Sequence, residues 1–95
     1  MATQTFPFDI AEHLDSPDAI RDFLAEIAVT GNEADFIHAL NTAAKAKGIT
    51  QVAKEAGVTR ASLYKSLAEG GNPNFMTISK VTKALGCRLV VQGSN

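Results

Sequence analysis

The stretch Ile49–Leu67, ITQVAKEAGVTRASLYKSL, decides the fold. Thr50 is placed to cap a short helix running to Ala56, and Gly57 ends it with the positive φ that a tight turn needs. Thr59 caps a second helix, running to about Ala68. Ala53 is small where two helices must cross closely, and Val52, Val58, Leu63 and Leu67 are spaced to bury both helices on a common core. That leaves Arg60, Ala61, Ser62, Tyr64 and Lys65 off the core side of the second helix. Small, polar and basic groups near a helix N-terminus suit the phosphates and base edges of a DNA major groove. A helical interaction module using the same packing for another purpose is the alternative reading.

Working outward, helix punctuation continues on both sides. Asp9 with Glu12 three residues later fits a capping box for a short first turn holding Ile10, Ala11 and Leu14. Ser16-Pro17-Asp18 supplies a cap, a proline at the first helical position and an acid in the first turn. Behind it, Ile20, Phe23, Leu24, Ile27 and Ala28 repeat at helical spacing as far as Thr30-Gly31. Asn32 can cap a further helix with Phe36, Ile37, Leu40, Ala43 and Ala44 as its buried stripe, and Gly48 can stop it after Lys45 and Lys47. Beyond the motif, Gly70-Gly71-Asn72-Pro73-Asn74 is a loop by composition. Phe75, Ile78, Val81 and Leu85 mark a last helix, stopped by Gly86. Arg88-Leu89-Val90-Val91 looks like a strand, too short to make a sheet by itself.

Ninety-five residues, 45% of them hydrophobic and 20% charged, suit one globular domain. No apolar run approaches the ~18 residues that span a bilayer, and the N-terminus lacks the basic-then-apolar pattern of a secretory signal. A cytoplasmic protein without membrane contact is therefore expected. The single Cys87 excludes an internal disulfide, and His13 and His38 have no ligand spacing, so neither a metal nor a cofactor is expected. The net charge of −1 conceals a polarity along the chain. Up to His38, eight acids face only Arg21, giving −7; from Ala39 onward, eight bases face Glu55 and Glu69, giving +6. Such asymmetry suits two surfaces with different partners, the basic one facing a polyanion, although solvated surface is the plainer account.

From Phe36 to Val91 the sequence resembles the Cro/lambda-repressor-like domains. More narrowly, it is similar to the addiction-module antidote family related to HigA. The resemblance rests on Arg60, Leu63, Tyr64, Lys65 and Leu67; on Gly71, Asn72, Pro73 and Phe75; and on Lys83, Leu85, Gly86, Arg88 and Leu89. Phe8-Asp9-Ile10-Ala11 and Leu14-Asp15-Ser16 extend it toward the N-terminus. It implies the antitoxin half of a type II toxin–antitoxin module, which neutralises a small basic RelE/ParE-like toxin and represses its own operon. In many of the resembled domains a glutamine opens the first motif helix. Here Ile49 holds that place and Gln51 stands two residues later, the position onto which a phosphate contact would carry.

The expectation is thus an all-α, lambda-repressor-like helix-turn-helix bundle of five or six helices with a short C-terminal β-strand. Residues 1–31 would be an acidic helical extension, 32–86 the DNA-binding core and 87–95 a short strand and tail. A homodimer on double-stranded operator DNA is expected, since one recognition helix covers one half-site. Its surface would draw on Leu89-Val90-Val91 or the adjoining helix, with an N-terminal pairing around Phe6-Pro7-Phe8 as the rival. Arg60 can grip guanine O6 and N7, and Lys65 a phosphate or base edge. Thr59 and Ser62 offer hydroxyls, Thr59 being a cap first. Tyr64 can support the helix with its ring or reach a phosphate with its hydroxyl, and Asn72 is either a backbone contact or a structural Asn-Pro turn. No nucleophile–base pair appears, so an enzyme is not expected. A stand-alone phage-type repressor and a toxin-masking module without DNA binding are the alternatives.

Overall fold

The computed structural model describes residues 13–68 and 70–93. Among them stand five helices: α1 Pro17–Thr30, α2 Glu33–Lys47, α3 Ile49–Ala56, α4 Arg60–Leu67 and α5 Phe75–Ala84. The expected first turn around Asp9, the Phe6-Pro7-Phe8 segment and Glu69 lie outside the described residues.

Local chemistry sets most helix starts. The Ser16 hydroxyl accepts from the Ala19 amide at 3.1 Å, with Pro17 at the first helical position. Asn32 and Asp35 form a reciprocal capping box, each side chain accepting the other's backbone N–H at 2.9 and 3.0 Å. Asn74 caps α5 by accepting from Thr77 at 2.8 Å. Thr50 does not cap α3. The helix already begins at Ile49, with Gly48 at the cap position and its carbonyl accepting from Val52 at 3.0 Å. Gly48 itself receives no side-chain cap bond.

α2 is the hub, packing against each of the other four helices. Its contribution to the core is small and fully buried: Ala39, Leu40, Ala43 and Ala44. Alanines let backbones approach closely, so the larger side chains of the neighbours fill the space between helices. α1 adds Ile20 and Leu24, α3 adds Ile49, Val52, Ala53 and Ala56, and α4 adds Leu63 and Leu67. Val81, Ala84 and Leu85 close the cluster from α5 and its end. Two expected stripe members fall outside it. Ala28 is exposed on α1, and Phe75, at the first position of α5 and beyond the edge of the core, is 72% exposed. Thr82 is the buried polar residue among those described, and its hydroxyl donates to the Ile78 carbonyl at 2.7 Å.

Three elements are stitched by one lysine. The Lys47 ammonium, at the end of α2, donates to the Ala84 carbonyl at the end of α5 and pairs with Glu55 of α3 at 3.3 Å. A cation at the carbonyl ends of two helices is also favoured by their dipoles.

The segment expected as a strand, Arg88–Val91, forms no ladder among the described residues. The Cys87 amide still bonds back to Thr82 at 3.0 Å, after which Leu89, Val90 and Val91 stand exposed. A β-ladder needs a second extended edge, and the described part of this chain is otherwise helical.

Candidate nucleic-acid interface

The geometry of α4 follows from its anchors. Gly57 adopts φ 74° and ψ 29°, the left-handed conformation, and its amide reaches back to the end of α3. The Val58 amide donates to Ala53 at 3.0 Å, a carbonyl the Gly57 amide also reaches, and the chain reverses there. Thr59 then opens α4: its hydroxyl oxygen accepts from the Ser62 amide at 3.0 Å, leaving its own hydrogen free to donate outward. Leu63 and Leu67 are buried against α2 and α3. With one face fixed in this way, Arg60, Ala61, Ser62, Tyr64 and Lys65 are all exposed.

At the other end of α4 the chain turns sharply. The Gly71 amide donates to Ala68 at 2.8 Å, and a Cβ at Gly71 would sit 2.5 Å from the Ser66 carbonyl oxygen. The loop therefore lies directly on the last turn of α4. This close approach places Asn72, which is exposed, just past the helix end.

The residues singled out from the sequence fall into three groups. Thr59, Arg60, Ser62, Tyr64 and Lys65 share the first two turns of α4, where the Arg60 guanidinium carbon lies 5.6 Å from the centre of the Tyr64 ring. Asn72 stands apart in the following loop. Gln51 is exposed on α3, and its amide donates to the Glu55 carboxylate at 2.7 Å. That bond, followed by the Lys47 ammonium, holds the Glu55 carboxyl below its ordinary pKa. Reading the residues one by one missed both helical pairs, although Gln51–Glu55 and Arg60–Tyr64 carry the i, i+4 spacing that predicts them.

Charge divides the surface. The bases Lys45, Lys54, Arg60, Lys65, Lys80, Lys83 and Arg88 are exposed along the second half of the chain. On α1, Asp18 and Asp22 flank Arg21 at 3.4 and 3.5 Å, with Glu26 exposed farther along. These are open surface pairs, screened by solvent and salt. Cys87 is half-buried, and burial pushes its thiol pKa up against a smaller opposing pull from Arg21. A thiol kept protonated is a poor nucleophile. A cleft of about 530 Å³ between α2 and the end of α4 is lined by Ile37, His38, Asn41, Leu67 and Gly71, among others. No helix of the described residues is long and apolar enough to cross a membrane.

Comparison with known proteins places this architecture in context. Residues 4–93 match a family described as probable addiction module antidote protein. The chain is also 43% identical over 94 residues to an uncharacterized protein of Haemophilus influenzae, covering 99% of this chain and 97% of that one. No solved structure matches it. A match running through all five helices is a family assignment: the chain belongs to the family of probable addiction module antidotes.

Proposed function

We propose that this chain is the DNA-binding antitoxin of a type II toxin–antitoxin module. On this reading it is a cytoplasmic, HigA-related protein that neutralises a small basic RelE/ParE-like toxin and represses its own operon. It is a regulator and not an enzyme. Family membership supports the antitoxin role in general. The reading of DNA rests on one observation: α4 presents Arg60, Ser62, Tyr64 and Lys65 outward while Leu63 and Leu67 clamp its other face. A helix held rigidly by its apolar side, with basic and hydroxyl groups at its start, is the shape that enters a major groove. α3, the Gly57 turn and α4 are then a helix-turn-helix of the lambda-repressor type. Thr59, Arg60, Ser62, Tyr64, Lys65, Asn72 and Gln51 form its DNA-facing set.

The charge division extends this reading. Residues 32–86 serve as the DNA-binding core, and counterion release rewards their clustered Lys and Arg. The acidic helices before His38, including the exposed carboxylates of α1, attract the basic toxin and speed its approach. Two copies bind one operator, each filling a half-site. Their association draws on Leu89, Val90 and Val91 in residues 87–95, whose exposed apolar side chains pair as a short strand once a second copy supplies the missing edge.

The test is an electrophoretic shift with the duplex upstream of the chain's own reading frame, repeated across a salt series. The expected result is a saturable shift that weakens steeply with salt and outlasts a scrambled duplex. Co-expression with the neighbouring reading frame should recover a basic partner of about 100 residues. A toxin complex without any DNA shift would leave the masking module. A DNA shift beside no toxin gene would leave the stand-alone repressor.

A further inference from the structure

We infer that Tyr64 acts on DNA through Arg60: its ring is the platform that holds the Arg60 guanidinium in the orientation needed to read a base. The inference rests on the DNA-reading proposal above and assigns Tyr64 a positioning role, in place of a phosphate contact by its hydroxyl. Arg60 is the first residue of α4, and its side chain has many rotamers to lose on binding. Side chains four apart share a helix face, and the Arg60 guanidinium carbon lies 5.6 Å from the Tyr64 ring centre. That distance is within the reach of a cation–π contact.

Two further observations and one general property of the contact support the role. First, Tyr64 is not part of the core. It is 40% exposed, while Leu63 and Leu67 on the same helix are buried. Its ring is thus available to do something other than pack. Second, the ion pairs among the described residues involve Arg21 and Lys47, and none involves Arg60. The Tyr64 ring is the group its guanidinium meets among those residues. Third, a cation–π contact draws the guanidinium by its charge and uses none of its N–H donors. Those donors are what a bidentate contact to guanine uses. An arginine held over a ring is therefore both ordered and unspent, whereas one paired to a carboxylate would have to break that pair first.

The hydroxyl and the ring make opposite predictions. If the hydroxyl mattered, Tyr64→Phe would weaken binding and Tyr64→Leu would do the same. If the ring matters, Tyr64→Phe behaves as wild type, and Tyr64→Leu loses base discrimination by about two- to five-fold, the worth of an exposed cation–π contact. That loss should vanish in the Arg60→Ala background, because the ring then has nothing to hold. The free protein offers an independent readout. The Arg60 methylene protons should carry an upfield ring-current shift that persists in Tyr64→Phe and disappears in Tyr64→Leu.

The experiment starts with a duplex selected from a random library by the wild-type chain. Affinities are then measured at one salt concentration for that duplex and for versions with single base pairs exchanged. Arg60→Ala, Tyr64→Phe, Tyr64→Leu and the Arg60→Ala/Tyr64→Leu double variant are compared, with thermal melts to show that each is folded. The expected pattern is equal discrimination by wild type and Tyr64→Phe. Tyr64→Leu should lose it at the position where Arg60→Ala does, with no further loss in the double variant. Undiminished discrimination by Tyr64→Leu beside a loss in Arg60→Ala overturns the inference and leaves the DNA reading standing, and so does an equal loss in Tyr64→Phe. Full discrimination by Arg60→Ala overturns the inference and leaves DNA binding standing, whereas selection of no sequence by the wild-type chain overturns both.

Discussion

Gly57 and Gly71 bracket α4, and alanine should fail at each for a different physical reason. At Gly57 a Cβ would meet no heavy atom within 4 Å, so space is not the obstacle. The obstacle is the backbone: φ is +74°, and an L-residue held there costs about 1–2 kcal/mol. Asparagine visits that region more readily, so Gly57→Asn should recover part of the loss. At Gly71 the conformation is ordinary but the space is taken. A Cβ would lie 2.5, 2.7 and 2.9 Å from the carbonyl oxygens of Ser66, Lys65 and Ala68. All three are backbone atoms, none can rotate away, and either the loop or the last turn of α4 must move. Overpacking of this kind costs about 1–3 kcal/mol. Gly71→Asn adds the same Cβ and should recover nothing.

In a domain of this size, 1 kcal/mol corresponds to about 4–8 °C in melting temperature. By circular dichroism Gly57→Ala should therefore melt roughly 4–16 °C below wild type, and Gly71→Ala roughly 4–24 °C below it. The asparagine pair separates the causes: partial recovery at residue 57, none at residue 71. Gly71→Ala should also weaken duplex binding well below its melting point, because the helix end and Asn72 have shifted. A wild-type melting temperature for Gly71→Ala, or equal rescue by asparagine at both sites, would refute the close approach of loop and helix.

Three further outcomes are expected. Where Lys65 meets phosphate alone, Lys65→Ala should weaken every duplex alike and lower the salt slope by about one, whereas Arg60→Ala should cost ~1–3 kcal/mol on the cognate site and relax one base position; a salt series on cognate and scrambled duplexes checks both. Asp22→Lys with Glu26→Lys spares Ile20, Phe23, Leu24 and Ile27 and leaves Ser16 and Asn32 as caps, so the fold should survive while stopped-flow association with the toxin slows at low salt; an unchanged rate would move the toxin contact elsewhere. The Glu55 carboxyl has a folded pKa below its ordinary value, so its contribution is present above the unfolded pKa and is lost as pH falls through the folded one. Glu55→Gln should accordingly flatten that acid limb in a series of urea melts, and an unaltered limb would assign it to other carboxylates.

How much of this was legible in the sequence depends on the distance over which each feature acts. The caps Ser16, Asn32 and Thr59 could be read because a cap is decided within three residues. The outward set on α4 was legible for a similar reason, since Leu63 and Leu67 fix which face is buried. Thr50 misled because a good capping residue stood one step inside a helix that the Gly48 turn had already started. Phe75 misled because periodicity says which face a residue shares but not where the core ends. The bond from Lys47 to the Ala84 carbonyl joins residues 37 apart, and no local pattern announces it. The same holds for Gly71, where the sequence shows a flexible loop and the structure shows a contact that only glycine permits. Arg88–Val91 has the composition of a strand, but a strand is a property of two edges, and the described residues supply no second one.

The central claim is that the exposed face of α4 meets DNA, and amide mapping during titration tests it most directly. The labelled full chain would be titrated with the duplex from upstream of its own reading frame, following each backbone amide. The account predicts that the largest shifts fall on residues 59–65 and around Asn72, while the α1 amides between Asp18 and Glu26 stay in place. Saturable binding that moves the α1 amides and leaves α4 unperturbed would contradict it.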